Sequence, residues 1–543
     1  MLYNCSKNMP KERLYCAFAF NVHDSSVSFA IENKVILVLE AERIFKQKKK
    51  RCDLAEMEFL INTGLKYLGK KPEDIAGWAM TTLNNPFLNR NDIVDEKTTF
   101  PKEPYAKEIT ILGISTKALV VNHHLSHAAT FLFSGFNQAI ITTCDGGGDH
   151  DPKIGIGECF AVYRGDGNDI TRYYDIDSSE LITGKTYATC AVFIYNAKPC
   201  EGKLMALAAF GKVKEEYLEK LKALYRKIET VDYPIGEKIL EENFQGLRGT
   251  ASGNNPSEEA KDFCATVQFF FSEQRVKNTI SIVDKIYKEN DNFVLAGGTG
   301  LNLDLNSLLL KELPKMHHYI APCCDDTGQS LGALSMLIVK ETGLRPEVRL
   351  PYLGMGEENI PYKLETISKV SDILSKDGIV VLHNGKAEIG PRALGNRSLI
   401  GRADSIVVKK KLSEEIKQRE SYRPVAPVTI EERVNDYFVG PHSSPFMLYK
   451  YDVLEPKKNE IEGAIHYDGS ARVQTITKES NAFLYDLIKA YGEKTGTYVL
   501  LNTSLNLKGD PIANTLEDSL KIYEKITGPK VLVYNGNIEK TND

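Results

Sequence analysis

Residues 15–39 read YCAFAFNVHDSSVSFAIENKVILVL, and this stretch shapes the first part of the fold. Its apolar runs, Tyr15–Phe20, Val27–Ile31 and Val35–Leu39, predict three strands. The polar loop His23–Ser26 separates the first two, and the short turn Glu32–Lys34 predicts that the last two pair as a hairpin.

The same pattern recurs about 120 residues further along the chain, a spacing close to one domain. Strands are predicted at Ala139–Thr143, Cys159–Tyr163 and Ile170–Tyr174, and a glycine-rich loop beginning with Asp145 follows the first of them. Two such units, each with a carboxylate after its first strand, indicate a duplicated α/β fold. Facing halves would form a cleft lined by the loops at the strand ends.

The length and punctuation of the chain indicate a second domain. At roughly 100–200 residues per domain, 543 residues predict several structural units. The stretch Thr342–Pro361 is rich in glycine and proline and is the best candidate linker. We therefore predict a first domain over residues 1–345, a linker over 346–361 and a second α/β domain over 362–543.

Composition narrows the class of protein. A hydrophobic content of 42% and a net charge of -5 are ordinary for a globular enzyme and give no reason to expect nucleic acid as the main partner. No stretch approaches the ~20 apolar residues of a membrane span. The ten cysteines form no CxxC pair, so reduced thiols and a cytoplasmic location are expected.

The clearest chemical motif of the first domain is a histidine pair. His123 and His127 fall in a predicted helix that follows a strand, and residues i and i+4 share one helix face. Both imidazoles could therefore bind one metal or phosphate, with ordinary surface or capping histidines as the alternative. His124 is three residues from His127 and does not fit this spacing.

Two acidic loops could complete such a site. Asp145 ends a buried strand, and Asp325-Asp326 precede a small-residue helix. The alternatives are a plain turn for Asp145 and a helix N-terminus that favours acid for the pair. Two histidines and two aspartates would make a mixed nitrogen and oxygen site, suited to Fe, Mn or Zn.

Glycine and basic motifs add candidate nucleotide contacts. Gly297, Gly298 and Asn302 belong to GGTGLN, which follows a predicted strand and could cradle a nucleotide or make a tight turn. The run Lys46–Arg51 has five basic residues in six and is either a solvated face or a phosphate contact.

The second domain carries cationic and polar residues in loops bounded by glycine and proline. Arginine in such loops often binds phosphate or carboxylate through bidentate contacts. Asn502 and Ser504 are predicted to follow a strand that ends at Leu501. The candidate anion-binding residues are Arg392, Lys417, Arg423, Arg472, Asn502 and Ser504.

Taken in order, these motifs resemble the O-carbamoyltransferase family, which includes nodulation and antibiotic-pathway enzymes. The resemblance runs from about residue 15 to residue 526. Its matched stretches are HDSS (23–26), HHLSHAA (123–129), the loop at Asp145, EGKLMALAAFG (201–211), GGTGLN (297–302), DDTGQSLGA (325–333), GPRALGNRS (390–398), IKQRESYRPVAP (416–427), ARVQT (471–475) and LNTSLNLKGDPI (501–512).

The resemblance implies a fold and a reaction. Residues 1–345 would form an actin/Hsp70-like (Kae1-like) domain, and residues 362–543 a YrdC-like domain. The second domain would make carbamoyl-adenylate from carbamoyl phosphate and ATP. The first would transfer the carbamoyl group to a hydroxyl of a small molecule, in natural-product or sugar biosynthesis.

The resemblance also implies residue roles. His123, His127, Asp145 and Asp326 would hold Fe²⁺ or another divalent metal, with Mg²⁺ a further candidate cofactor. His23 would lie beside the carbamoyl group, and Lys48 would contact the adenylate. ATP and carbamoyl phosphate would be bound by Arg392, Lys417, Arg423, Arg472 and Ser504.

Three other functions stay open at this point. Threonylcarbamoyl transfer to tRNA joins similar domains, although the net charge of -5 argues against an extensive basic face. Carbamoylation of a protein cysteine is a second alternative, and a nucleotide-gated binding protein without chemistry is a third. The acceptor is not identified by the sequence, and a homodimer is kept open.

Overall fold

The structure is a computed structural model that describes residues 12–88, 103–151, 156–173, 181–198, 200–358 and 360–542. Its first sheet has six strands in the order β3-β2-β1-β4-β6-β5. Strand β1 pairs antiparallel with β2 and parallel with β4. The strands are β1 (Leu14–Ala19), β2 (Ser26–Ile31), β3 (Lys34–Glu40), β4 (Ile75–Thr81), β5 (Tyr105–Ile111) and β6 (Ile114–Val121).

The second sheet repeats this arrangement with five strands in the order β11-β10-β7-β12-β13. Strand β7 pairs antiparallel with β10 and parallel with β12, as β1 does with β2 and β4. The predicted duplicated α/β unit is confirmed by this match of strand order and direction. The strands of this region are β7 (Gln138–Cys144), β8 (His150–Asp151), β9 (Ile156–Gly157), β10 (Phe160–Asp166), β11 (Asp169–Tyr173), β12 (Asn292–Ala296) and β13 (His318–Tyr319), with β8 and β9 forming a separate short ribbon.

Ten α-helices of the described residues accompany these two sheets. Helix α10 packs on β1, β4 and α3. A Cβ on Gly332 of α10 would lie 2.0 Å from the backbone oxygen of Ser126, so glycine permits the close approach of α10 to α3. The helices are α1 (Ala41–Phe45), α2 (Leu54–Tyr67), α3 (His123–Ala128), α4 (Gly184–Tyr195), α5 (Glu201–Ala208), α6 (Glu215–Glu229), α7 (Tyr233–Asn243), α8 (Glu258–Ile286), α9 (Leu303–Glu312) and α10 (Gln329–Thr342).

The remaining residues build a seven-stranded sheet in the order β20-β16-β21-β15-β14-β22-β23 and a small sheet of β17, β18 and β19. Strand β14 of the larger sheet is buried on both faces: Val380 and Leu382 enter one apolar core, and Ile379 and Val381 the other. The elements are α11 (Leu364–Ser375), β14 (Ile379–His383), β15 (Arg397–Arg402), α12 (Ile406–Lys410), β16 (Ala426–Ile430), β17 (Phe438–Val439), β18 (Tyr451–Val453), β19 (Ser470–Ala471), β20 (Gln474–Ile476), α13 (Ala482–Thr495), β21 (Val499–Ser504), α14 (Leu516–Lys525), β22 (Lys530–Tyr534) and β23 (Asn537–Asn542).

Strand β21 corrects one sequence prediction. Asn502 and Ser504 were expected to follow a strand ending at Leu501, but β21 continues to Ser504. Asn502 pairs with Ala426 of β16 and with Ile400 of β15, so the sheet on both sides keeps the polar residues extended. Their side chains therefore project from a strand and not from a loop.

The connection between α10 and α11 is bonded to both parts of the chain. The amide of Val35 donates to Glu347 O at 3.0 Å, and that of Val38 donates to Leu353 O at 2.8 Å. On the other side, the amide of Gly354 donates to Ala387 O at 2.8 Å. The connection thus runs beside β3 and also contacts the second part of the chain. The domain limits at residues 345 and 361 remain a prediction.

None of the helices in the described ranges combines the length and the apolar composition that a membrane span requires.

Candidate active site

The two predicted histidines are placed by the start of α3. The side chain of Asn122 accepts hydrogen bonds from the amides of His124 at 3.0 Å and Leu125 at 3.4 Å, which caps the helix. Asn122 also donates to the buried carboxylate of Asp149 at 2.8 Å. His123 and His127 then lie one turn apart on the same face, 1% and 2% exposed.

Two carboxylates from different loops converge on these imidazoles. The Nε2 atom of His127 lies 3.1 Å from Asp145 Oδ2 and 3.4 Å from Asp326 Oδ1. His123 Nε2 lies 3.8 Å from the same Asp326 oxygen. One ligand atom from each of the four residues falls within 4.8 Å of the others. The four residues that the sequence singled out are therefore together.

The donor set of this cluster fits a divalent transition metal. His123 Nε2, His127 Nε2 and Asp326 Oδ1 are buried and make no hydrogen bond, although they point at one another. Buried polar atoms without partners are rare, and a shared cation would satisfy all three. Two imidazoles with two carboxylates suit Fe, Mn or Zn. Metal binding and the identity of the metal remain predictions.

The charges in the cluster are strongly coupled. Burial alone would lower the pKa of His127, but Asp145 and Asp326 outweigh burial and raise that pKa to about 9. Burial alone would raise the pKa of Asp145, but His127 holds it below its ordinary value. Burial, with the neighbouring histidines, lowers the pKa of His123 well below its ordinary value. The negative charges of the two carboxylates thus favour the binding of a positive charge at this site.

The GGTGLN loop organises this cluster. The amide of Gly298 donates to Asp145 Oδ2 at 3.1 Å, and a Cβ on Gly298 would lie 3.1 Å from Asp145 Oδ1. Gly297 has a φ of 89°, which favours glycine and turns the chain sharply after β12. Asn302 caps α9 through the amide of Leu305 at 3.1 Å. The predicted contact of Gly297, Gly298 and Asn302 with a nucleotide stays a prediction.

His124 has a structural role. Its ring nitrogens lie 2.9 Å from Thr143 Oγ1 and 2.8 Å from Glu158 O, so both have hydrogen-bonding partners. This side chain is fully buried and fixes α3 on β7 and on the segment just before β10.

His23 lies at the edge of the cluster. Its Nδ1 is 2.8 Å from Asp24 Oδ2 and 3.8 Å from Asp326 Oδ2. Burial would lower the pKa of His23, but Asp24 and Asp326 raise it to about 9. Its side chain is 43% exposed, so the imidazole is accessible to a substrate beside the four-residue cluster.

Lys48 is surrounded by charges from the second part of the chain. Burial lowers the pKa of Lys48, and the positive charges of Arg419 and Arg423 lower it further. The structure thus places Lys48 near the arginines of the second part of the chain, and its predicted contact with the adenylate remains a prediction.

A cavity of about 600 Å³ lies between the two parts of the chain. Helices α5, α8 and α9 form one wall, and the loops after residue 390 form the other. The cationic residues on the second wall are Arg392, Arg419, Arg423 and Arg472, joined by Lys450, with Asn502 and Ser504 of β21 beside them.

The arginines crowd one another in this cavity. Burial lowers the pKa of Arg472 well below its ordinary value, and Arg392, Arg419 and Arg423 lower it further. The Nε atoms of Arg392 and Arg472 are buried without a hydrogen-bond partner. Four cations on one cavity wall favour a polyanionic ligand such as a nucleoside triphosphate.

Lys417 is the one predicted anion-binding residue that does not line this cavity. It is 2% exposed, and its Nζ donates to Ser504 Oγ at 2.7 Å and also to Asn506 Oδ1. Lys417 therefore holds the end of β21 from behind. Arg419 takes the place on the cavity wall, and it was absent from the predicted set although it lies in the same basic run.

Glu388 is a second residue that sequence reasoning missed. Its fully buried Oε1 accepts the amides of Leu394 at 2.6 Å, Asn396 at 2.9 Å and Arg397 at 3.1 Å. These three bonds shape the loop that presents Arg392. In the sequence, the position of Glu388 two residues before Gly390 is the feature that could have indicated this role.

The loop that carries Arg392 is bonded to the part of the chain that carries the histidine cluster. The amide of Gly390 donates to Glu40 Oε1 at 2.6 Å, and Arg43 donates to Gly390 O at 3.0 Å. A Cβ on Gly390 would lie 2.3 Å from Pro322 O, four residues before Asp326. The cationic cavity and the histidine cluster are thus joined through Gly390.

Two family models together match most of the chain. The model described as Carbamoyltransferase N-terminus matches residues 15–334, and Carbamoyltransferase C-terminus matches residues 371–540. The chain therefore belongs to the carbamoyltransferase family and is a carbamoyltransferase.

Named relatives and a solved structure are similar to the chain. Nodulation protein NolNO of Sinorhizobium fredii is 27% identical over 92% of this chain and 77% of its own length. The 3'-hydroxymethylcephem-O-carbamoyltransferase of Streptomyces clavuligerus is 32% identical over 60% of this chain and 61% of its own length. The activator of the 2-hydroxyisocaproyl-CoA dehydratase from Clostridium difficile is 12% identical, covers 60% of this chain and 93% of its own, and has a TM-score of 0.35.

Proposed function

We propose that the chain activates a carbamoyl group with ATP in the cationic cavity and transfers it to the hydroxyl of a small molecule beside His23. The observation that carries this proposal is the cavity wall with Arg392, Arg419, Arg423 and Arg472, tied through Gly390 to the histidine cluster. The named relative from Streptomyces clavuligerus supports an oxygen acceptor.

Activation requires a site that binds two highly charged substrates. Carbamoyl phosphate and water give carbamate and phosphate, and a carbamate oxygen then attacks the α-phosphorus of ATP, so that carbamoyl-adenylate forms and pyrophosphate leaves. The arginines offset negative charge on the phosphates and on the leaving pyrophosphate. Ser504 and Asn502 lie on the same wall. Asn502 donates to Gln474 Oε1 and Ala393 O, and Ser504 donates to Asn506 Oδ1, so binding of these residues to the phosphate oxygens would exchange those bonds.

Transfer requires a positioned hydroxyl and a good leaving group. The acceptor oxygen attacks the carbamoyl carbon, AMP leaves, and the hydroxyl proton must be removed. His23 is exposed enough to meet the acceptor and is oriented by Asp24 through Nδ1. Because its pKa is raised to about 9, near neutral pH its other nitrogen donates a hydrogen bond to the reacting oxygens, and it accepts the hydroxyl proton only as the pH approaches 9.

The residues that would hold the metal are His123, His127, Asp145 and Asp326. When bound, a divalent cation supplies positive charge that stabilises negative charge developing on neighbouring oxygens. Gly298 and the close packing of α10 on α3 keep the carboxylates facing the imidazoles.

The position of the cavity between the two parts of the chain supports direct passage of the intermediate. Carbamoyl-adenylate is sensitive to water, and a short enclosed route would protect it. The loop that carries Arg392 packs directly against the segment before Asp325, because a Cβ on Gly390 would lie 2.3 Å from Pro322 O and 3.3 Å from the Cα of Cys323. The adenylate-forming wall thus reaches the loop that carries Asp326.

The proposal is tested by incubating the protein with ATP, carbamoyl phosphate and metabolite extracts. We expect a product that is heavier by one carbamoyl group and that requires both substrates. Formation of the same product without ATP would refute the activation step. Carbamoylation of added tRNA, and of no small molecule, would refute the acceptor class.

A further inference from the structure

The cationic cavity has a second kind of wall that the proposed reaction leaves unassigned. Phe210, which follows α5, stacks on Tyr467, which precedes β19. The ring centroids are 4.3 Å apart and the planes differ by 17°. One ring comes from each part of the chain, and both line the cavity that holds the four arginines.

The tyrosine of this pair is held firmly and still has an open face. The amide of His466 donates to Ser470 O at 2.8 Å, and that of Gly469 donates to His466 O at 3.0 Å, so Tyr467 lies in a tight turn. Its side chain is 72% exposed although one face rests on Phe210. An exposed aromatic face that is held in place by its turn is available to stack against a flat ligand.

The turn is fixed from the other side by Lys450. Its Nζ lies 2.8 Å from Asp468 Oδ2 and 3.0 Å from Asp304 Oδ1 at the start of α9. The hydroxyl of Ser307 donates to Lys450 O at 3.2 Å, and the amide of Lys450 donates to Ser307 Oγ at 2.8 Å. Two carboxylates neutralise this lysine, so its role is to hold the turn and not to bind phosphate.

The other aromatic side chains described on this cavity wall are less suitable platforms. Tyr422 is 8% exposed, and its hydroxyl lies 3.1 Å from that of Tyr195. Phe269 lies on α8, is 43% exposed and forms none of the described ring contacts. The pair of Phe210 and Tyr467 therefore offers the preorganised flat surface of this cavity.

From this arrangement we infer that Tyr467, backed by Phe210, is the platform on which the adenine base of ATP stacks. The inference rests on the proposed function, because the arginines would hold the phosphates of the same nucleotide. The base is tied to the α-phosphate by one ribose and must find its place in the same cavity. A volume of about 600 Å³ is in the range of small-molecule sites.

The consequence is that neither part of the chain forms the nucleotide site alone. The arginines come from the part after residue 390, and Phe210 comes from the part before residue 334. A nucleotide that bridges them would stabilise their contact, so binding of ATP and docking of the two parts are coupled.

The test compares two ligands that differ only by the base. Binding of AMP and of ribose 5-phosphate is measured by calorimetry on the full-length protein, as purified, and on its Tyr467→Ala and Tyr467→Phe variants. Loss of base stacking is expected to weaken AMP binding to Tyr467→Ala about tenfold, with ribose 5-phosphate unchanged. Tyr467→Phe keeps the ring and should bind both ligands as the unmodified protein does.

Two results would overturn the inference. An unchanged ratio of AMP to ribose 5-phosphate affinity in Tyr467→Ala would show that the base lies elsewhere. An equal loss for both ligands would show that the aromatic pair only docks the two parts. Failure of the proposed function is seen separately, as absence of carbamoyl-phosphate-dependent pyrophosphate release in the unmodified protein.

Discussion

Substitution of Glu40 by glutamine should uncouple the two parts of the chain. Glu40 and Arg43 are 5% and 4% exposed and form an ion pair at 2.9 Å between Oε2 and Nε. The other carboxylate oxygen accepts the amide of Gly390 at 2.6 Å, and Arg43 donates to the carbonyl of the same residue. The change keeps the shape of the side chain and removes the charge that Glu40 carries when ionised. Burial raises the pKa of Glu40 to about 8 against the opposing effect of Arg43, so the comparison is made at about pH 9, where the pair is ionised.

The size of the effect follows from burial. Removing one partner of a buried pair leaves the other charge without compensation, which costs about 3–5 kcal/mol in the free energy of unfolding. Replacing both partners with apolar residues of similar size is far less costly, so Glu40→Leu combined with Arg43→Met should be milder than Glu40→Gln. A surface ion pair would contribute only about 0–1 kcal/mol.

The assay is urea unfolding followed by intrinsic fluorescence, with carbamoyl transfer measured in parallel. With a slope of about 3 kcal/mol per molar urea, Glu40→Gln should lower the transition midpoint by about 1 M or more. Carbamoylated product per released pyrophosphate should fall, because the loop that carries Arg392 loses its bond to the segment around Glu40. An unchanged midpoint together with an unchanged product yield would refute this explanation.

Three further outcomes are expected. Arg423→Ala should lower carbamoyl-phosphate-dependent AMP formation about 100-fold or more, because the cavity loses a charge that offsets the leaving pyrophosphate. His127→Ala should lose bound metal, measured by elemental analysis, and should largely keep adenylate formation, measured as carbamoyl-phosphate-dependent pyrophosphate release, because its side chain lies outside the cationic cavity. Gly332→Ala should weaken metal binding and lower the melting temperature, because its Cβ would meet the backbone of Ser126 at 2.0 Å and push α10, and with it Asp326, away from α3.

Matched variants make these outcomes specific. Arg433 is exposed, pairs with Asp436 and lies in the same domain as Arg423, so Arg433→Ala should keep full activity. His442 is exposed and outside the cluster, so His442→Ala should keep its metal. Normal AMP formation by Arg423→Ala, unchanged metal content in His127→Ala, or unaltered metal affinity in Gly332→Ala would each contradict the corresponding role.

Local patterns were sufficient to predict the duplicated hairpins and the histidine pair. The apolar runs around His23 and Asp145 alternate with tight turns, and such short-range signals survive in the tertiary structure. The i, i+4 spacing of His123 and His127 depends only on helix geometry, once Asn122 starts the helix. The approach of these histidines to Asp326 requires the packing of α10 on α3. The two helices are far apart in the sequence, so no local pattern predicts this contact.

Contacts between distant segments could not be predicted in the same way. Polar residues after Leu501 suggested the end of a strand, but pairing with β15 and β16 extends β21 to Ser504. A π-helical turn over Lys411–Ile416 precedes Lys417, and the side chain of Lys417 points behind β21 while Arg419 faces the cavity. The bond between Glu40 and Gly390 joins residues 350 positions apart.

The most direct test of the central claim is the fate of ATP labelled in its α-phosphate. With an acceptor present, the two-site scheme predicts that labelled AMP and unlabelled pyrophosphate, assayed separately, form in equal amounts and only when carbamoyl phosphate is present. The Arg423→Ala variant should form neither, and the His127→Ala variant should still release pyrophosphate while its transfer-dependent AMP formation falls. Release of ADP in place of AMP, or AMP formation independent of carbamoyl phosphate, would contradict activation through carbamoyl-adenylate.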